Sequence, residues 1–217
     1  MKGLVIKDFN LIKLQKKFFI VNIAIAIAIS LMNNDPVFIL GYQTFVMSMF
    51  TLSTITYDES NNGNAFLFTL PISRNDYVRE KYAFSLLVGS GFWLLSLVMA
   101  VIINNIKGAM PMVELLMTAF LIFPIMVILY AVMIPFQLKF GAEKGRMAIV
   151  GAVGILFITI FLLIKIITAF GVNIKNVFNN ILLLKTTVLI TTVILVSFVL
   201  LFISMKISVL IMINKEF

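Results

Sequence analysis

The chain has 217 residues, of which 62% are hydrophobic and only 12% are charged, and its mean hydropathy is +1.13. Soluble domains carry about 25% charged residues, so this composition excludes an ordinary soluble protein and indicates a membrane protein. Cys and His are absent, which excludes disulfides, thiolate or imidazole metal sites and Ser-His-Asp chemistry. The net charge of +8 does not indicate nucleic-acid binding, because the Lys and Arg residues stand between hydrophobic runs.

Residues 1–17 contain five Lys and one acid, Asp8. Val5, Phe9 and Ile12 recur at helical spacing, and Lys stems can cover apolar surface while their ammonium groups stay in water. We predict an interfacial helix on the cytoplasmic leaflet. The alternative is a positive segment that only orients the first membrane span.

Six apolar runs follow, at about 18–32, 37–57, 83–103, 112–136, 148–170 and 186–207. Each has about 20 residues, enough to cross about 30 Å of hydrocarbon as a helix. Pro124 and Pro135 lie in the fourth run, where neighbouring helices are expected to satisfy the carbonyl groups that a proline frees. The sequence therefore predicts an all-α, polytopic membrane protein with six transmembrane helices, forming a single domain over residues 1–217.

The connecting segments set the predicted orientation. The turns at 33–36 and 104–111 and the loop 171–185 are predicted outside, and the loops 58–82 and 137–147 inside. Thirteen Lys and Arg then lie on the inner side and four on the outer side, which predicts that both termini are cytoplasmic. No charge falls near the middle of a run, so we expect no ion-coupling machinery within the membrane and an energy source outside it.

Residues 58–82 form the longest polar interruption and carry four of the nine acidic residues. Ser73 and Asp76 fit a capping box, so the third span is expected to begin as a helix in the cytosol and to expose Arg74, Tyr77 and Arg79. Before it, residues 64–70 can form two helical turns with Phe66, Leu67 and Leu70 on one side, and Pro71 ends that helix. The expected product is a short amphipathic helix, for which the alternative interpretation is a helix resting on lipid headgroups.

The segment resembles the signature of the type-2 ABC exporter permeases of bacteria, and in particular the small six-helix branch encoded beside separate ATPase subunits. The matching positions are Asp58, Glu59, Leu70, Pro71, Ile72, Ser73, Arg74, Val78, Lys81 and Tyr82. The resemblance extends over the whole chain through the six runs and the N-terminal helix. Asn61-Asn62-Gly63 departs from the more charged and aromatic residues usual there, which implies a less ionic docking surface.

The resemblance implies that residues 58–82 contain a cytosolic coupling helix, between the second and third spans, that seats on a nucleotide-binding ATPase subunit. It also implies a second permease subunit, identical or different, and a place in the bacterial cell membrane. The residues expected to bind the ATPase are Asp58, Glu59, Phe66, Leu67, Leu70, Pro71, Ser73, Arg74, Tyr77 and Arg79. Membrane lipid is an expected partner and nucleic acid is not.

This chain has no G-x-x-x-x-G-K-[ST] motif, so ATP and Mg²⁺ are expected in the partner, with no cofactor, metal or catalytic residue here. The predicted function is the permease subunit of an ATP-driven exporter for amphipathic or hydrophobic cargo such as peptides. One alternative is a non-transporting scaffold or immunity protein that sequesters a peptide. An intramembrane hydrolase is the other, although the sequence offers it almost no catalytic groups.

Overall fold

The computed structural model describes the backbone of residues 2–33, 35–59, 63–169 and 186–215. Side chains are described for residues 3–33, 35–59, 63–141 and 187–215. The helices in these ranges are α1 (Lys2–Leu14), α2 (Lys16–Asn33), α3 (Pro36–Glu59), α4 (Gly63–Leu67), α5 (Arg74–Lys107), α6 (Met112–Ala169) and α7 (Thr186–Ile213). This part of the chain contains no strand, which agrees with the predicted all-α class.

Five helices in the described ranges are long and apolar enough to cross a membrane: α2, α3, α5, the Met112–Gly141 part of α6, and α7. They correspond to five of the six predicted runs. Backbone helix continues through most of the remaining run, 148–170, but its side chains lie outside the described residues. The predicted outer loop 171–185 also lies outside them.

The ends of the helices follow from their sequences. At the turn between α2 and α3, the Asp35 carboxylate accepts the Val37 backbone N–H at 2.9 Å, and Pro36 begins the helix, where its missing donor is not needed. Helix α5 ends at Gly108, whose φ of 60° suits glycine and whose N–H bonds to the Asn104 carbonyl at 2.7 Å. These turns confirm the breaks that the sequence predicts at 33–36 and 104–111.

The two larger of the three apolar clusters among the described residues lie toward opposite ends of the bundle. One is centred on α3, α5 and α6 and includes Ile55, Tyr82 and Tyr130. The other lies toward the opposite end, where Trp93 packs against α6 and donates its indole N–H to the Ala119 carbonyl at 3.0 Å. The bundle is thus packed at both ends of α5, with Gly89 against Tyr130 between them.

The carbonyl freed by Pro135 has a partner, as expected. Pro135 cannot donate to Ala131 four residues earlier, and the Ser204 hydroxyl of α7 donates to that carbonyl instead. Ser204 also bonds to the Tyr82 hydroxyl at 2.6 Å, so α5, α6 and α7 are joined at this level. The carbonyl that Pro135 frees is therefore bonded by a neighbouring helix and is not left unpaired.

The prediction of an inner loop at 137–147 is wrong. Residues 137–140 are helical and the helix changes direction at one residue, Gly141, whose φ of 75° and ψ of −178° are not helical. Gln137 is buried and donates to the Leu52 carbonyl at 2.9 Å, so it packs inside the bundle. A single glycine in a conformation that side chains disfavour replaces the expected loop.

Candidate functional site

The candidate site is the end of the bundle where α1, the end of α3, α4 and the beginning of α5 meet, which we call the charged end. Its charged side chains come from α1, from the residues that follow the apolar part of α3, and from the residues that precede the apolar run of α5, which begins at Ala83. Helix α5 has 34 residues and so rises about 51 Å, well beyond the about 30 Å of a hydrocarbon core. Its first nine residues, 74–82, therefore extend beyond the span.

Lys81 is the centre of a buried ion network at the charged end. Its side chain is 1% exposed and its ammonium lies 2.7 Å from the Asp58 carboxylate of α3 and in contact with the Asp8 carboxylate of α1. Burial by itself lowers the pKa of Lys81, but the nearby Asp58, Asp8 and Glu80 carboxylates outweigh burial and raise it. Lys81 therefore stays charged and joins three helices.

Lys7 and Tyr77 complete the network around Asp58. The Lys7 ammonium donates to one Asp58 oxygen, and the Tyr77 hydroxyl donates to the other at 3.1 Å. Tyr77 is fully buried, so the expectation that it is exposed is wrong. Burial raises its pKa well above the usual value, and the neutral phenol stays a hydrogen-bond donor to Asp58.

Glu80 is the least satisfied member of the charged end. Its side chain is fully buried, neither carboxyl oxygen has a hydrogen-bond partner, and its nearest cation is Lys81 at 3.8 Å. Burial is the main cause that raises the pKa of Glu80 to about 7, against a usual value of 4.5. This carboxyl group is therefore half-protonated near neutral pH.

The short helix α4 packs against the end of α3, where Gly63 lies close to the Asp58 backbone carbonyl. Asn64 and Leu67 face inward and are buried, whereas Phe66 is 71% exposed. The Thr69 hydroxyl donates to the Phe66 carbonyl at 2.7 Å and helps end the helix at Leu67. The expected two turns over 64–70 with Phe66 and Leu67 on one side are therefore wrong, because the helix is shorter and these two side chains face opposite ways.

The predicted cap of α5 is present. Ser73 occupies the N-cap position and accepts the Asp76 backbone N–H at 3.0 Å. Asp76 lies in the first turn, where a carboxylate interacts favourably with the helix dipole. The chain between α4 and this cap exposes Leu70, Pro71 and Ser73.

Two contacts connect this end to α7. The Arg74 guanidinium donates to the Met212 and Ile213 carbonyls at 2.9 and 2.6 Å, at the end of α7. Glu59 accepts from Lys215 at 2.7 Å, and Lys215 also donates to the Leu138 carbonyl beside the Gly141 kink. Glu59, the last residue of α3, and Arg74, the first residue of α5, thus connect this end of the bundle to the end of α7 and, through Lys215, to α6 beside its kink.

The structure divides the ten predicted docking residues into two groups. Phe66, Leu70, Pro71, Ser73 and Arg79 are exposed, and Glu59 and Arg74 are partly exposed. Asp58, Leu67 and Tyr77 are buried beneath them. Among the described residues, no group of three or more acidic side chains is arranged to hold a metal ion.

Asp8, like Lys7, Glu80 and Lys81, is a site residue that the sequence analysis did not assign to the site. The expected apolar face of the first helix contained Val5, Phe9 and Ile12, but Leu4 and Asp8 are its buried residues. The signal was a single acid among five Lys in residues 1–17, four residues after an apolar Leu4. A single acid in a Lys-rich segment is easily taken for a surface residue, because the partner of Asp8, Lys81, lies 73 positions away in the sequence.

The fold and the site define a polytopic helical membrane protein with a charged, partly exposed end. A family described as ABC-2 family transporter protein matches residues 3–212, nearly the whole chain. The chain therefore belongs to the ABC-2 family of transporter proteins, whose members are noncatalytic permease subunits of ABC transporters. No match was found among curated proteins or among solved structures.

Proposed function

We propose that this chain is the permease subunit of a bacterial ATP-driven exporter and that α4 with the following turn is its coupling element. The observation that carries the proposal is the apolar edge, by which we mean the exposed residues Phe66, Leu70 and Pro71; they flank Leu67, which is buried in the same cluster as Tyr77. An exposed Phe, with an exposed Leu and Pro a few residues on and a buried neighbour as anchor, suits insertion into a pocket of a partner. Family membership implies that this partner is an ABC ATPase.

In this proposal the apolar edge contacts the ATPase subunit, and the ion network around Lys81 transmits the movement of that subunit to the bundle. Leu67 anchors α4 to the bundle, and Asp58 and Tyr77 connect the segment to α3 and α5. Closure of two ATPase subunits on ATP would push α4, and the ion network would carry that displacement into α1, α3 and α5 together. Arg74 would carry it to α7 through its bonds to the last carbonyls.

The buried position of Asp58 changes how docking should be tested. Charge reversal at Asp58 would place a new cation beside Lys81 and Lys7, so loss of transport there would report a damaged fold. Phe66 and Leu70 are exposed and make no such pair, so substitutions there test the contact itself. Exposed positions are therefore the informative ones.

The test is co-purification of the full chain with the ABC ATPase subunit proposed as its partner, followed by measurement of ATP turnover. Phe66→Asp and Leu70→Asp should each lower recovery of the ATPase at least about tenfold, the effect of one interface hot spot. Lys13→Asp, an exposed substitution on α1, is the control and should leave recovery unchanged. Unchanged recovery with Phe66→Asp and Leu70→Asp would overturn the coupling assignment.

We also propose a dimeric pathway, formed with an identical or a different permease subunit, and an amphipathic or hydrophobic cargo such as a peptide. The support is compositional, since no charge stands near the middle of any apolar run. Both termini are proposed to be cytoplasmic, from the excess of cations on that side. A scaffold or immunity protein would keep this topology but would not bind an ATPase, so the same co-purification separates the two functions.

A further inference from the structure

A groove between α6 and α7 has a volume of about 480 Å³, within the about 300–1,000 Å³ that is usual for ligand sites. It is lined by side chains between Ile128 and Phe140 of α6 and between Leu200 and Ile211 of α7. All of them are apolar except Ser204 and Lys139. Since Ser204 is committed to Ala131 and Tyr82, Lys139 is the one polar group left to meet a ligand among these lining residues.

Lys139 lies at the end of the groove nearest the charged end. It is exposed, and its ammonium lies 5.2 Å from the centre of the Phe140 ring. Among the described residues it has no hydrogen bond or ion pair, unlike Lys215, which also lies nearby and is paired with Glu59. The groove therefore has an apolar body and, at its rim, a positive charge that no described residue compensates.

The length of the groove matches one half of a bilayer. From Ile128 to Lys139, α6 rises about 17 Å, and one leaflet contributes about 15 Å of hydrocarbon. Beyond Lys139 the surface becomes polar, in a pocket that includes Glu59, Asn64 and Lys215. Lys139 thus lies at the level where lipid headgroups begin.

We propose that this groove is a binding site for an anionic phospholipid of the cytoplasmic leaflet, with an acyl chain between α6 and α7 and the phosphate at Lys139. A basic group between helices on the cytoplasmic side is the arrangement that selects anionic headgroups. A cationic peptide would be repelled by the same ammonium, and a zwitterionic lipid would gain less from it. The site does not depend on docking of an ATPase, so its test is independent of the proposed function.

The absence of Cys from the natural chain permits a direct test. A small fluorophore is attached to Ile203→Cys inside the groove or to Val199→Cys, which is on the same helix, similarly exposed (58% against 52%) and outside the groove lining. The full chain is placed in nanodiscs containing brominated phosphatidylglycerol or brominated phosphatidylcholine, both of which quench the fluorophore on contact. At Ile203→Cys the apparent affinity for phosphatidylglycerol should be about fivefold higher, and at Val199→Cys the two lipids should quench alike.

Lys139→Gln should remove the preference at Ile203→Cys without changing quenching at Val199→Cys. The matched control is Lys206→Gln, which removes an exposed charge from α7 that does not line the groove and should keep the preference. Equal quenching by the two lipids at Ile203→Cys, in the protein with no other substitution, would overturn the proposal. Equal losses of the lipid preference in Lys139→Gln and Lys206→Gln would also overturn it. Weak quenching by either lipid at Ile203→Cys would also overturn it, and would indicate that a peptide or a second copy fills the groove.

Discussion

The Lys81 ammonium lies 2.7 Å from the Asp58 carboxylate, joining α5 to α3 in a part of the protein where both side chains are almost fully buried. Asp8 of α1 is held by the same ammonium. Because the three groups come from three helices, the N-terminal helix is fixed to the helices on either side of α4. The helices that flank α4 in the chain, α3 and α5, are therefore connected to each other and to α1 by buried ion pairs.

Lys81→Met should destabilise the protein by about 3–5 kcal/mol, since it leaves Asp8 and Asp58 buried without their shared cation. Thermal unfolding in detergent measures the loss. Arg79→Met removes an exposed cation two residues away and should change stability by no more than about 0.5 kcal/mol. Equal unfolding temperatures for the two variants would contradict a buried network.

Glu80 makes stability depend on pH. Its pKa is about 7 in the folded protein against the usual 4.5, so the folded state holds the proton more tightly and stability falls as pH rises from about 4.5 through 7. Lys81, Lys7, Asp8 and Asp58 are the charged groups that act on it. Glu80→Gln mimics the protonated form, and its unfolding temperature should exceed that of the natural protein at pH 8 and approach it at pH 5.

The comparison of the two pH profiles is the decisive observation for Glu80, because other groups contribute equally to both proteins. Each pKa unit is worth about 1.4 kcal/mol, so the two curves should separate by a measurable amount. Parallel profiles between pH 5 and 8 would show that Glu80 ionises as an exposed carboxyl does.

Gly89 permits the close approach of α5 to α6. An added Cβ would lie 2.9 Å from the Met126 sulfur and also against the Tyr130 ring, so Gly89→Ala should lower the unfolding temperature. Gly91 is on the same helix with open space around it, and Gly91→Ala should be neutral or stabilising by up to about 1 kcal/mol. If both variants shifted the unfolding temperature in the same direction, the packing account would fail.

Arg74 holds the last carbonyls of α7. Arg74→Gln removes the charged donor to Met212 and Ile213 and should speed amide exchange in the last turn of α7, including Asn214. Exchange in the middle of α7 should not change. Arg79→Gln serves as the control, and equal protection of the last turn in both variants would show that Arg74 does not hold α7.

The features of the fold that could be predicted from the sequence are those set by residues close together in the chain. The apolar runs predicted five helices that the structure describes, and Ser73 with Asp76 predicted the start of α5, since a cap is a contact over three residues. The exposed position of Phe66 and Leu70 was also consistent with a contact surface. These features depend on residues close together in the chain.

Other features depend on pairing across the chain. Tyr77 was expected on the surface because it lies in a polar segment, but its partner Asp58 comes from another helix. Lys7, Asp8 and Lys81 looked like surface charges and orienting cations for the same reason. Polar composition indicated a loop at 137–147, whereas Gly141 alone makes the change of direction.

Cross-linking tests most directly whether the apolar edge of Phe66, Leu70 and Pro71 contacts an ATPase subunit, as we propose. Single cysteines at Phe66 or Leu70, introduced into a chain that naturally has none, are treated with a short cross-linker in membranes that contain the ATPase subunit. We predict a cross-link to that subunit from both positions, with a yield that changes when ATP is added, and none from Lys13→Cys on α1. No cross-link from Phe66→Cys or Leu70→Cys, or an equal yield from Lys13→Cys, would contradict the account.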